Sequence, residues 1–249
     1  MDSSQKILTK FYSENTTETI IFANLVGTTG TQLVDIVWID RTPPTCEVVY
    51  STTGFTNQNV NVRLGDCSKP ITLTSPDAIY TFTGNGSYTF SFVDNSGNTG
   101  NATAMVTWID KSPVTGNITY NITERTNQDV TATISFNKTD VTILNNSGVD
   151  YLFIDNGVFI YRFIDKYGNE GEATAAVSWM DLEPPFVTSI TYTPNSHTNQ
   201  PVTVEITLDK QISGITGWIA LNTENTIFSK TYTSNTEEVI YFYDHVNNE

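Results

Sequence analysis

Cysteine is nearly absent from this chain. Cys46 and Cys67 are the only two, and they fall in one stretch, which excludes a disulfide framework on which the whole fold depends. Two readings of the pair stand open: a local disulfide in an oxidising compartment, or two reduced thiols. Basic residues are also scarce. Twelve Lys and Arg face 27 Asp and Glu, a formal charge of −15, and a nucleic-acid backbone demands the opposite balance. No apolar run reaches the ~20 residues of a membrane helix, so this segment is expected not to insert. The opening MDSSQKILTK lacks the apolar centre of a secretory leader, so any leader of a secreted parent is expected to lie outside it. His197 and His245 sit apart in turn-rich places and form no metal cluster with cysteine. The serines lack a nucleophile elbow or a neighbouring base, and no carboxylates pair across a cleft, so no enzymatic activity is expected.

What is abundant is β-forming and repetitive. From Ser87 to Asp110, Tyr88, Phe90 and Phe92 alternate with smaller residues. The turn chemistry of Asp94-Asn-Ser-Gly-Asn98 follows, and a second alternation places Ala102, Ala104, Val106 and Trp108 on one face. This is a hairpin ending at a proline-containing joint. It recurs before Asp40 and before Asp181. Trp38, Trp108 and Trp179 lie 70 and 71 residues apart, and Tyr50, Tyr120 and Tyr192 lie 70 and 72 apart. The triplets starting at Thr56, Thr126 and Thr198 keep similar steps. A period this long describes small domains rather than solenoid units.

The chain therefore divides into residues 1–40, the closing strands of a partial repeat; 41–110 and 111–181, two complete repeats; and 182–249, an atypical repeat lacking its final strand. Within 1–40, strands are expected over 6–11, 19–24 and 32–39. Six or seven short strands in about 70 residues fit a compact two-sheet sandwich. In the last repeat the middle is expanded around Trp218, and Tyr241 to Asp244 reads as the strand before the turn. The surplus closing strands at one end and the deficit at the other allow two readings. One is a fragment cut out of phase from a tandem array. The other is self-association by strand addition, with residues 32–39 of one copy completing the last repeat of another.

The Asp–Pro joints and the F-x-D-x-x-G-N hairpins at Phe92–Asn98 and Phe163–Asn169 resemble bacterial immunoglobulin-like tandem repeats of surface adhesins and extracellular stalk proteins. The resemblance implies an all-β chain of Greek-key β-sandwiches arranged end to end, located outside the cell or at its surface as part of a larger protein. It also implies calcium at the joints of some members. In such a sandwich the last hairpin turn lies where the chain enters, so Asp94 is expected near Asp40, Asp165 near Asp110, and Asp244 near Asp181. Asp66, Asp140 and Asp209 are candidates for the same end. Calcium takes six to eight oxygens, which two or three acids with carbonyls could supply; the alternative is that these acids only cap turns. The pattern breaks at Asn24, where the hairpin acid is missing. The repeated tryptophans are expected to be buried. Trp218, beside Gly214 and Gly217, is the candidate for a binding surface. The leading expectation is a spacer or stalk segment whose partners are neighbouring repeats. A module binding a glycan or a host surface protein is the alternative.

Overall fold

The computed structural model describes residues 9–249. Eighteen strands form among them, and no helix. Strands β1 (Thr16–Ala23) and β2 (Thr29–Ile36) make a two-stranded antiparallel sheet. The first complete repeat holds β3 (Cys46–Tyr50), β4 (Val60–Cys67), β5 (Ile71–Leu73), β6 (Ile79–Phe82), β7 (Gly86–Asp94) and β8 (Thr99–Val106). They form two sheets, ordered β3-β4-β6 and β5-β7-β8. The second complete repeat copies the plan: β9 (Gly116–Tyr120), β10 (Val130–Phe136), β11 (Val141–Ile143), β12 (Asp150–Phe153), β13 (Gly157–Asp165) and β14 (Glu170–Val177), in sheets β9-β10-β12 and β11-β13-β14. The last repeat has β15 (Val187–Thr193), β16 (Val202–Leu208), β17 (Ile219–Ala220) and β18 (Ile227–Tyr232) in one sheet, ordered β15-β16-β18-β17.

Alternation explains the layering. Val60 and Val62 of β4 and Phe82 of β6 turn inward to meet Phe90 and Phe92 of β7 and Ala104 and Val106 of β8. Val130, Ala132, Phe153, Tyr161, Phe163, Ala175 and Val177 repeat the arrangement. Each large apolar side chain so buried contributes about 1.5–3 kcal/mol. The molecule is thus an all-β, multi-sheet chain of small sandwich-like repeats. Its contacts divide between Lys111 and Ser112 into two compact units.

One glycine per hairpin is set by its neighbour. A Cβ on Gly100 would lie 2.5 Å from the Phe92 ring and 2.4 Å from the Pro44 carbonyl oxygen. Gly171 repeats both, against the Phe163 ring and the Val114 carbonyl oxygen at 2.7 Å, and Gly30 against Phe22 repeats the first. Tyrosine and tryptophan close the far end of each complete repeat. Tyr50 meets Trp108 edge-on at 5.5 Å and Tyr120 meets Trp179 at 5.1 Å. The Tyr50 Oη accepts the Met105 N–H at 3.1 Å, and Tyr120 Oη the Ala176 N–H at 2.8 Å.

Several expectations need correction. The first hairpin is set earlier than alternation alone suggests, at Thr16–Ala23 and Thr29–Ile36. Of the strand expected over 6–11, residues 6–8 lie outside the described region and 9–11 form no strand. Trp38 is 70 % exposed, unlike Trp108 and Trp179, which pack on cores. The hairpin before Trp38 is a two-stranded sheet, and among the described residues no second sheet faces it. Tyr241 to Asp244 forms no strand. Only Asp244 bridges to Ile212, at the register in which Asp94 faces Ile71 and Asp165 faces Val141. Among the described residues no strand pairs with the other edge of this segment, as β8 pairs with β7. Cys46 and Cys67, opposite one another on β3 and β4, are joined in a disulfide.

Candidate functional site

The hairpin turns show what the recurrent acid does. In Asp94-Asn-Ser-Gly-Asn98, Oδ1 of Asp94 accepts the N–H groups of Ser96 and Asn98 at 2.9 and 2.8 Å, while Gly97 takes φ +87°. Asp165 and Asp244 make the same two bonds with Tyr167 and Asn169, and with Val246 and Asn248. Asn24 makes them too, with Val26 and Thr28, using a neutral amide. The turn itself therefore needs an oxygen and no charge.

The charge is used by the second carboxylate oxygen. Asp94, Asp165 and Asp244 are only 6, 4 and 4 % exposed. Lys69 lies between Asp94 and the linker acid Asp40: its Nζ is 2.6 Å from Asp40 Oδ2 and 3.3 Å from Asp94 Oδ2, and it donates to the Thr42 carbonyl. Asn98 Nδ2 joins the same acids, donating to Asp94 Oδ2 at 2.9 Å and to the Asp40 carbonyl at 3.0 Å. In the second repeat Lys138 Nζ is 2.7 Å from Asp165 Oδ2 and donates to the Ser112 carbonyl, and Asn169 Nδ2 again reaches Asp165 Oδ2. In the last repeat Lys210 Nζ lies 3.2 Å from Asp181 Oδ1 and 3.6 Å from Asp244 Oδ2, and donates to the Glu183 carbonyl. Asn248 Nδ2 bonds Asp244 Oδ2 and the carbonyls of Asp181 and Glu183.

The electrostatics follow. The Asn98 amide, helped by Asn98 and Ser96 backbone N–H groups and by Lys69, holds the Asp94 carboxyl at about 2. Burial pushes Asp165 upward, but Lys138 and Asn169 outweigh it and hold it at about 2 as well. Asp244 is likewise lowered, against its burial, by Asn248, the Val246 N–H and Lys210. Asp40 is lowered chiefly by Lys69.

Asp181 is gripped from both sides. Arg125 of the repeat before it lies 2.7 Å from Oδ2, Lys210 of the repeat after it reaches Oδ1, and Asn127 Nδ2 donates to Asn248 Oδ1 at 3.2 Å. One carboxylate at the linker thus joins cations belonging to two successive repeats.

Of the expected site residues, the structure brings Asp40 together with Asp94 around Lys69, and Asp181 with Asp244 around Lys210. Asp110 and Asp165 fall in different units; the Asp110 N–H donates to the Thr56 carbonyl at 3.1 Å. The three loop acids take other roles. Asp209 Oδ1 accepts the Phe186 N–H at 2.7 Å, Asp140 pairs with Lys166, and Asp66 is exposed on β4. The lysines were the missed residues. Their steps of 69 and 72 match the repeat, a signal hidden because each follows a different residue, Ser68, Asn137 or Asp209. Among the described residues, no group of three or more His, Cys, Asp or Glu is placed to hold a metal ion.

Trp218 is half-buried, packed on the core of the last repeat, with its ring 6.4 Å from that of Tyr232. It lines a groove of about 770 Å³ that also takes in Tyr192, Val204, Ile206, Glu238 and Ile240. No helix among the described residues is long and apolar enough to cross a membrane. Neither any protein-family model nor any curated protein matches the chain.

Proposed function

We propose that this chain is a spacer segment of an extracellular or cell-surface protein of the adhesin type. In this reading immunoglobulin-like, Greek-key repeats follow one another through joints fixed by lysine, aspartate and asparagine, and the chain catalyses no reaction. The observation that carries the reading is Asp181, tied to Arg125 on one side and to Lys210 on the other. Such a joint resists bending because rotation breaks charge-assisted bonds that are partly shielded from water. The Cys46–Cys67 disulfide supports an oxidising compartment. The −15 charge supports a segment that repels its own copies at long range.

The test is the joint. Replacing Arg125 and Lys210 with alanine should broaden the distribution of angles between the second complete repeat and the last one, measured by small-angle scattering and by paired spin labels. An unchanged distribution would remove the reason for calling the joint a mechanical element. A second reading keeps calcium, because Asp40, Asp94 and the Thr42 carbonyl converge on one point. There the ion would compete with the Lys69 ammonium. Glycan or surface-protein binding around Trp218 rests on its groove alone.

A further inference from the structure

The two complete repeats bury matching residues and expose different ones. On β13, Phe159, Tyr161 and Phe163 turn toward the core, so Val158, Ile160 and Arg162 turn outward. β14 sets Ala176, Thr174 and Glu172 opposite these three, on the same outer face. Leu144 extends that face past the end of β11, its N–H donating to the Arg162 carbonyl at 2.7 Å. Leu144, Val158 and Ile160 are 56, 65 and 41 % exposed. Arg162 Nε lies 3.0 Å from Glu172 Oε1, and both side chains stand open to water. The first complete repeat fills the same places otherwise. Thr74 stands for Leu144 and donates to the Ser91 carbonyl at 2.8 Å. Ser87 and Thr89 stand for Val158 and Ile160, Ser91 and Asn101 for Arg162 and Glu172, and Met105 for Ala176. The second repeat has thus exchanged three hydroxyls for aliphatic side chains and a neutral pair for two opposite charges. Its core explains neither change, because none of the five residues belongs to it.

We propose that this outer face of β11-β13-β14 binds the same face of a second copy of the chain, sheet against sheet. The charges choose the occupant. A two-fold axis along the strands, midway between β13 and β14, lays β13 over the partner's β14 at the same height. Val158 then meets the partner's Ala176, Ile160 the partner's Thr174, and Arg162 the partner's Glu172, each contact occurring twice. The two Arg162–Glu172 pairs become a ring of four alternating charges. A partner surface of one sign would instead meet one attraction and one repulsion. On the first complete repeat the same axis would set Ser91 against Asn101 and desolvate the hydroxyls of Ser87 and Thr89 for no charge gained. One face of a short three-stranded sheet is small, which places the contact in the transient class. The −15 charge of the whole chain opposes the approach and keeps the contact reversible.

Charge reversal tests the axis. Arg162→Glu makes both charges of the face negative, and Glu172→Arg makes both positive. In sedimentation, each variant alone should stay monomeric at concentrations where the parent chain associates. An equal mixture of the two should associate again, as pairs of unlike chains. Val158→Ser combined with Ile160→Thr gives the face the residues of the first complete repeat. These side chains are exposed, so the fold is kept, and association should weaken by about tenfold. A parent chain that is monomeric at every concentration overturns the proposal. So does association that the double variant leaves intact, or a mixture no more associated than its components. Each of these results leaves the joint at Asp181, and the spacer reading built on it, untouched.

Discussion

At the scale of single residues, the difference between Asn24 and Asp94 separates two jobs that one side chain does at once. Oδ1 shapes the turn in every copy, whereas the three copies that carry a second carboxylate oxygen, Asp94, Asp165 and Asp244, set it near a lysine. Lys138 is the clearest case, because its partner Asp165 is buried. Lys138→Met should leave that carboxylate without its cation and lower stability by about 3 kcal/mol, the usual cost of removing one member of a buried pair. Denaturant unfolding of the variant checks this. The pH dependence has a definite sign. Asp94 and Asp165 are depressed to about 2 in the folded chain, below the ~3.9 of an unfolded aspartate. Their stabilisation is full above about pH 4 and disappears as pH falls toward 2, where the folded form must also take up the proton. Asp165→Asn should flatten that acid limb relative to the parent chain, read as melting temperature against pH; parallel limbs would show that Asp165 is not a source of it.

At the scale of elements, hairpin and linker are fitted to each other through a missing side chain. Gly100→Ala sets a methyl against both the Phe92 ring and the Pro44 carbonyl, of which the ring can shift and the backbone cannot. The expected cost is about 1–3 kcal/mol, confined to the first complete repeat and measurable there by amide hydrogen exchange. The disulfide acts on the same repeat. Reducing Cys46–Cys67 reopens a loop with a separation of 21 residues, which should lower that repeat's stability by about 3 kcal/mol and leave the second complete repeat, which has no cysteine, unchanged. Much of this element scale was legible in the sequence. The hairpin around Asp94 could be read from its alternation, with Tyr88, Phe90 and Phe92 on one strand and Ala102, Ala104 and Val106 on the next, because one apolar face separated by turn residues leaves one choice. Strand ends near Thr16 and Thr29 were not legible, because threonine and asparagine fit strand edge and loop alike. The acids of the joints stood out, since Asp before Gly-Asn is rare enough to notice. Their lysines did not, because a lone cation in a polar loop looks like any solvated side chain until the fold returns it to an acid 25 or more residues away.

At the scale of the whole molecule, the question is which cation holds the acids at the joints. Asp94 stands close enough to Asp40 to push its pKa up, and Lys69 outweighs that effect; Lys69 also helps Asn98 lower Asp94. An acid pair in a shielded place requires a positive partner, and the chain supplies one covalently, at a position that repeats with the domains. A tethered ammonium needs no dissolved ion and is already dehydrated by the Thr42 carbonyl and the two carboxylates, so calcium must displace it before it can coordinate. The parent chain should therefore melt at the same temperature with millimolar calcium and with chelator. Lys69→Ala should lower the melting temperature of the first complete repeat, and calcium should restore part of that loss, since Asp40, Asp94 and the Thr42 carbonyl are then open to it. Calorimetry of the two chains, each with calcium and with chelator, gives four curves. If calcium instead stabilises the parent chain and does nothing for Lys69→Ala, the lysine is a passive neighbour, and the joints belong to the metal.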